Sequence, residues 1–442
     1  MRSCLFLILL SSVFFASCKK PDYEKILHDP TLYSRTVHEL NGVVMGNNFS
    51  PVVASRNYAY ANIAGYEVIA AGYPAKYQSL AGQLNGLKTI AKPIANESID
   101  YEYASILAFC KVGEAVTFPG GSLKDYTDSL HQLAVNHGMP EKMIANSENY
   151  ATAVALSIMA WSKKDNYLKT RSASKFAVYN DSAWRWVPTP PAYAEAVEPH
   201  WSEIRPMVIH DLKNYEVPPP PAFDVKNKNS KYYREVTYIK NTGDSLNAEQ
   251  THIADFWDDN PGKLNVSGHV MFITKKFSPP GHWMSIVGIG AEKTHADFNR
   301  TVCAFAKTAI ALYDATIQCW TAKYIYKTVR PETVIDKYFD ANWRPYLQTP
   351  PFPEFTCGHC TMSGAAAEAL TSVLGDNVAY TDTSELEFGI ESRSYKSFRD
   401  AAKENIWARF YGGLHFHNSC VVSNYFGTMV GDSVVAKLVM KK

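Results

Sequence analysis

An apolar run with helical periodicity, from about His295 to Tyr326, is the feature that most restricts how this 442-residue chain can fold. Val302, Phe305, Ala309, Ile310, Leu312, Tyr313 and Ile317 recur within it at helical spacing, which marks a buried helix. Further helical patterns flank it. One begins at Pro51, a residue suited to a first turn, and the next, Ser122 to His137, stops before Gly138 and Pro140. Glu141 to Trp161 carries Ile144, Ala151, Val154, Ala155, Ile158 and Met159 on one face. Asn247 to Trp257, Ser363 to Leu374 before Gly375, Tyr395 to Tyr411, and Asn418 onward complete the set. No hairpin signal or strand alternation stands out. The expected fold class is all-α, a helical bundle or a pair of bundles.

Between these helices lies a stretch of different texture. Trp184-Arg-Trp-Val-Pro-Thr-Pro-Pro191, Pro199, Pro206 and Pro218 to Pro221 cannot sit inside helices or inner strands. Its many Trp and Tyr residues predict a segment, 184–222, packed down over a surface where it could roof a site; a flexible linker is the alternative. The expected organisation is a leader over 1–17, an N-terminal helical region over 18–245 containing the wrapping segment, and a C-terminal helical region over 246–442. The leader reads from Met1-Arg2, an apolar run from Leu5 to Phe15, and small residues before Cys18. It resembles a bacterial lipoprotein signal, which implies lipid on Cys18 and a body tethered in the cell envelope, facing the periplasm or the surface. A cleaved secretory signal is the rival reading. A net charge of +1 gives no electrostatic reason to expect nucleic acid. The eight cysteines are too sparse for a disulfide framework in a chain this long.

Three short motifs carry the chemistry: Lys323-Tyr-Ile-Tyr-Lys-Thr-Val-Arg330-Pro331, Thr356-Cys357-Gly358-His359 and Arg409-Phe-Tyr-Gly412-Gly413-Leu-His415. They offer three cations, two histidines and glycine-flanked backbone N–H groups, the set that an oxyanion wants. Lys323 and Arg330 would lie two turns apart on one helix face, with Pro331 ending the helix and turning Arg330 extended. Gly412-Gly413 would turn the chain so that Arg409 and His415 meet.

In this order the motifs resemble the signature of the superfamily of type 2 phosphatidic acid phosphatases and vanadium haloperoxidases. The resemblance implies an enzyme with an oxyanion cradle of Lys323, Arg330, Cys357, Gly358 and Arg409, and catalytic His359 and His415. If the activity is haloperoxidase, the implied cofactor is vanadate with His415 as its protein ligand, and Trp320 and Phe352 match positions lining the halide side. If it is a phosphomonoesterase, no cofactor is needed: His415 takes the phosphoryl group and His359 protonates the leaving oxygen. The expected partner is in either case a small molecule or anion. The chain departs from the pattern at Cys357, where the family has serine. A thiol is a poorer hydrogen-bond donor, so that oxyanion contact is weakened and a non-catalytic anion-binding lipoprotein becomes a third reading. Cys357-Gly-His-Cys360 also looks like a thiol-disulfide oxidoreductase motif, but without the strand and βαβ context such a site needs; a short-loop disulfide or two free thiols is the plainer expectation. Asp258-Asp259 reads as a solvated helix end, and His269 and His282 have no ligand-spaced partner. No Cys/His cluster with zinc spacing is present.

Overall fold

The computed structural model describes residues 21–179 and 181–442. Cys18 and the leader lie outside the described residues. Seven helices come first: α1 (Tyr23–Leu27), α2 (Pro30–Gly46), α3 (Pro51–Gly72), α4 (Tyr101–Val116), α5 (Lys124–Asn136), α6 (Glu141–Ser162) and α7 (Tyr167–Arg171). After the proline-rich stretch come α8 (Lys231–Gly243), α9 (Ala248–Phe256), a hairpin of β1 (Lys263–Ser267) and β2 (Val270–Thr274), α10 (Pro279–Lys293) and α11 (Phe298–Tyr326). Then follow α12 (Pro331–Tyr338), α13 (Gly358–Leu374), a second small hairpin of β3 (Tyr380–Asp382) and β4 (Arg393–Tyr395), α14 (Phe398–Tyr411) and α15 (His417–Lys437). The fold is the helical one expected, with two antiparallel hairpins added. The β1–β2 turn uses Gly268 at positive φ, and β2 alternates nothing: Val270, Met271, Phe272 and Ile273 are all exposed, so no two-faced pattern existed to be read.

The long apolar run is α11. Asp297 caps its N-terminus by accepting the Arg300 N–H, and nearly every residue along its 29 is buried. It packs against α2, α3, α10, α13 and α15, so a single core draws on both halves of the chain. A helix surrounded in this way must be apolar all round rather than striped. The polar exceptions tie segments together. Asp314, fully buried on α11, accepts from the backbone N–H groups of Met207, Val208 and Ile209 at 2.6, 2.8 and 2.9 Å, pinning the proline-rich stretch onto the core. Trp186 and Trp201 are buried, and the Val197 carbonyl accepts from Trp320 Nε1 at 3.1 Å and from the Tyr324 hydroxyl at 2.6 Å. The stretch is packed down, as its aromatic content predicts.

One local expectation is corrected. Pro331 does not end the first motif's helix; α11 stops four residues earlier, where Lys327 adopts a left-handed conformation (φ 51°) and donates its N–H to the Lys323 carbonyl. Arg330 is extended (φ −78°, ψ 150°), as expected, and Pro331 opens α12 instead. Lys323 and Arg330 therefore sit on either side of a helix break and do not share a helical face. The Gly412-Gly413 turn is as expected: Gly413 has φ 77°, and a side chain there would meet Pro345 at 2.9 Å.

Candidate active site

Four pieces of chain converge at one end of α11. The loop 350–357 before α13 is central, because its carbonyls organise the cations. Lys323 Nζ, fully buried, donates to the carbonyls of Pro353 at 2.8 Å and Glu354 at 3.1 Å, and also to that of Thr356. Arg330 Nε donates to the Phe352 carbonyl at 2.8 Å, and Nη1 to the Leu414 carbonyl at 3.0 Å. The same Nη1 lies 3.0 Å from His415 Nε2. Phe352 lies beneath both cations, its ring centroid 4.9 Å from Lys323 Nζ and 5.0 Å from the Arg330 guanidinium. From α14, Arg409 Nη1 donates to the carbonyls of Trp257 at 2.9 Å and Asp258 at 3.1 Å; His359 Nε2 meets the same Asp258 carbonyl at 3.3 Å.

Two nitrogens in this set are buried with no partner in the protein: Arg330 Nη2 and Arg409 Nε. Orphaned guanidinium N–H groups are costly in a folded interior unless something accepts from them, and the acceptor that suits both is an anion. The first N–H groups of α13, beginning at Gly358, lack partners within the helix and add a further anion-binding edge. The donor set therefore fits a small tetrahedral or trigonal oxyanion such as vanadate or phosphate. Electrostatics agree. Burial pushes Lys323 down to about 8, with Arg330 adding to the effect, and pushes Arg330 down to about 10 with Arg409 beside it. Burial, then Arg409, holds His359 well below the usual imidazole range, so its ring is neutral near pH 7. A bound anion would reverse the mutual repulsion of these groups.

His415 is held from behind. Its Nδ1 is 3.0 Å from Glu354 Oε1, and both side chains are nearly inaccessible. The carboxylate fixes the ring with Nδ1 protonated, which leaves Nε2 as the free electron pair facing Arg330. Glu354 was not singled out from sequence; it lies in a Pro-Phe-Pro-Glu-Phe string with no helical pattern to mark it. A cavity of about 230 Å³ opens on this centre, lined by Phe352, His359, Arg409, Asp258, Asp259 and Val197, so the proline-rich stretch does contribute to its roof. A larger groove of about 760 Å³ between α2 and α10 contains none of the motif residues. Trp320 does not line the site cavity: it is buried with its ring 5.1 Å from Phe352 and 3.4 Å from where a Gly358 side chain would begin. Cys357 is buried beside His415, and neither Cys357 nor Cys360 forms a disulfide.

Asp258 and Asp259 are corrected from solvated to buried. Asp259 Oδ1 is 2.8 Å from His282 Nδ1, whose Nε2 is 3.0 Å from Asp382 Oδ2; Asp259 Oδ2 also lies 3.9 Å from His359 Nε2. Burial opposes charge on His282, but Asp259 and Asp382 outweigh it and raise the imidazole well above its usual range. His282 thus has partners after all, brought from 23 and 100 residues away. His269 stays exposed on the β1–β2 turn.

The family model of the VCPO second helical-bundle domain matches residues 303–342 and 336–441, the region containing all three motifs. Among solved structures, a bacterial vanadium-dependent iodoperoxidase superposes with a TM-score of 0.87 at 40% identity, covering 93% of this chain and 97% of that one. The chain belongs to the vanadium haloperoxidase and type 2 phosphatidic acid phosphatase superfamily. This superfamily member also shares its fold with holo-type and apo-type bacterial vanadium-dependent chloroperoxidases, at 17% identity each, TM-scores of 0.63 and 0.65, and 88% of this chain covered. Those alignments span 93% and 94% of the chloroperoxidase chains. A comparison with curated proteins gave no match. Like its structural relatives, this haloperoxidase-like protein is an enzyme. Among the described residues no helix is long and apolar enough to cross a membrane.

Proposed function

We propose that this enzyme is a vanadium-dependent haloperoxidase that oxidises halide with hydrogen peroxide, with iodide the first halide to test because the 40% identical relative is an iodoperoxidase. The observation that carries the reading is the pair of orphaned buried guanidinium nitrogens beside a histidine whose other nitrogen is fixed by Glu354. Arg330, Arg409 and the Gly358 N–H would hold the vanadate oxygens, and His415 Nε2 would be the protein ligand. Lys323, whose three N–H groups go to the carbonyls of Pro353, Glu354 and Thr356, would add its charge from behind. Bound vanadate supplies the Lewis-acidic centre that activates peroxide toward a halide. The chain's own residues do the rest. The cations balance the negative charge without losing protons near pH 7. Neutral His359 keeps its proton on Nε2 against the Asp258 carbonyl, so Nδ1 is the nitrogen that can take up a proton and return it. Phe352, Trp320 and the proline-rich roof keep bulk water away from the charged centre.

The test uses protein reconstituted with vanadate and assayed with peroxide and iodide, bromide or chloride, beside p-nitrophenyl phosphate hydrolysis without vanadium. We expect halide oxidation that His415→Ala abolishes together with stoichiometric vanadium retention. Phosphate ester hydrolysis without halide oxidation would instead make the protein a phosphomonoesterase of the same superfamily, and anion binding with neither activity a non-catalytic relative. Lipid attachment at Cys18, and with it residence in the cell envelope, remains part of this proposal; detection of an acylated Cys18 peptide by mass spectrometry tests it.

A further inference from the structure

Behind the His415–Glu354 pair lies a second cavity of about 370 Å³, within the range of small-molecule pockets. It forms where the end of the proline-rich stretch, α8, the break after α11, the loop before α13 and the start of α15 meet. Its walls are aromatic: Trp184, Phe223, Tyr232, Tyr326, Phe355 and Phe416 all line it. The rings hold one another in place, with centroids 4.9 Å apart for Phe223 and Tyr232, 5.5 Å for Tyr232 and Phe416, and 5.5 Å for Tyr326 and Phe355. The mouth is open, since Trp184 is 41% exposed and Ala222 and Asn418 are exposed beside it. The Val329 N–H donates to the Trp184 carbonyl at 2.8 Å and fixes that edge. None of Lys323, Arg330, His359, Arg409 and His415 lines this cavity, and it shares no lining residue with the cavity at His359.

The polar groups of its lining select the occupant. The hydroxyls of Tyr232 and Ser419 are buried with no hydrogen-bond partner, a state that calls for a ligand or an ordered water. Glu354 accepts from His415 Nδ1 at 3.0 Å and from the Phe416 N–H at 3.3 Å, both on Oε1. Among the described residues nothing donates to its Oε2. Glu235 Oε2 accepts the Asn418 N–H at 3.1 Å, which fills only part of a carboxylate's acceptor capacity. These two carboxylates are the charged groups of the lining, with no lysine or arginine among its residues. Aromatic faces and carboxylates together favour an organic cation, drawn by the ring quadrupoles and by opposite charge. We propose that the cavity is a binding site for a small arylalkyl ammonium compound, its ring among the aromatic walls and its ammonium directed to Glu354 and Glu235, with the Tyr232 and Ser419 hydroxyls as further acceptors. Occupancy leaves the oxyanion cradle free, so the site stands whichever reaction the cradle supports.

The test uses the whole protein without vanadate, titrated at pH 7 with 2-phenylethylammonium in a calorimeter. We expect saturable, stoichiometric binding. The neutral 2-phenylethanol, of nearly the same shape, should bind about tenfold more weakly, and the anionic 3-phenylpropanoate more weakly still. Glu235→Gln keeps an acceptor for the Asn418 N–H but removes the charge, so the ratio of ammonium to alcohol affinity should fall by about tenfold. That ratio is insensitive to a general loosening of the fold, which weakens both probes alike. Phe223→Leu removes a ring from the cavity wall and should weaken ammonium binding by about threefold or more. Saturating vanadate should leave the amine bound. Absence of binding at millimolar amine, an alcohol or carboxylate that binds as tightly as the ammonium, or an unchanged ratio in Glu235→Gln overturns the proposal. Ammonium affinity unaffected by Phe223→Leu, or displacement of the amine in proportion to vanadate, places the amine elsewhere and overturns it equally. Because the titration contains neither peroxide nor halide, its failure is distinct from failure of the halide assay.

Discussion

A histidine ligand is only as good as what holds its other nitrogen. His415 depends on Glu354, and a conservative change there separates orientation from charge. Glu354→Gln keeps an acceptor oxygen for Nδ1 but removes the charge, and we expect vanadate affinity to fall about 10- to 100-fold. Turnover at saturating vanadate should fall less; equilibrium dialysis with vanadium analysis, alongside kcat, checks the split. Lys323 offers a pH test. Its ammonium in the anion-free site titrates at about 8, and a bound anion raises that value. Below that pH the group is already charged and contributes no slope. Above it, binding must take up a proton, so affinity falls by up to about tenfold per pH unit. Sulfate, whose charge does not change over this range, is the probe, and Lys323→Met should bind weakly and lose the slope.

The site residues are presented by element ends rather than by faces. Lys323 sits in the last turn of α11, Gly358 and His359 in the first turn of α13, Arg409 in the last turn of α14 and His415 just before α15. The short connection from α14 to α15 therefore sets the distance between Arg409 and His415. Gly413 makes it possible with φ 77° and Pro345 hard against it. Gly413→Ala should destabilise the protein by about 1–3 kcal/mol through strain and crowding, and should reduce anion affinity as well. Denaturant unfolding and vanadate binding, measured on the same preparation, check both. Unfolding at wild-type denaturant concentration with unchanged affinity would mean that the turn relaxes without disturbing the site.

Over the whole molecule, the acidic network behind His359 makes a statement about stability. Burial pushes the Glu385 carboxyl up to about 8; the His282 charge works against this and Asp259 adds to it, and neither Glu385 oxygen has a hydrogen-bond partner. The folded pKa lies above the unfolded one of about 4.3, so folding takes up a proton between the two. Its contribution is fully present below the unfolded value and is lost as pH rises toward about 8. Glu385→Gln removes that loss. The Tm difference between variant and wild type should grow more positive from pH 5 to pH 8, and a difference that is flat or falling over this range contradicts the assignment. The same long-range character governs the proline-rich stretch, which Asp314 anchors from the centre of the core.

Local pattern determined the helical class, the central helix and the three motifs, because helical periodicity, caps and anion-binding residue types are written over a few neighbouring positions. Asn247 illustrates how far that reaches: its capping box with Gln250 starts α9 where the sequence places it. Local pattern did not reveal Glu354, the Asp259–His282–Asp382 chain or the cluster of Cys357 and Cys360 with Cys420 from α15, and it misjudged where α11 ends. Each of these depends on which distant backbones come together. Glu354 and His415 are 61 residues apart, and His282 and Asp382 are 100. A carboxylate in the sequence looks solvated until packing removes its water, and a cysteine looks isolated until two helices cross at it. Burial and partner choice are properties of the assembled core, and only the tertiary structure decided them.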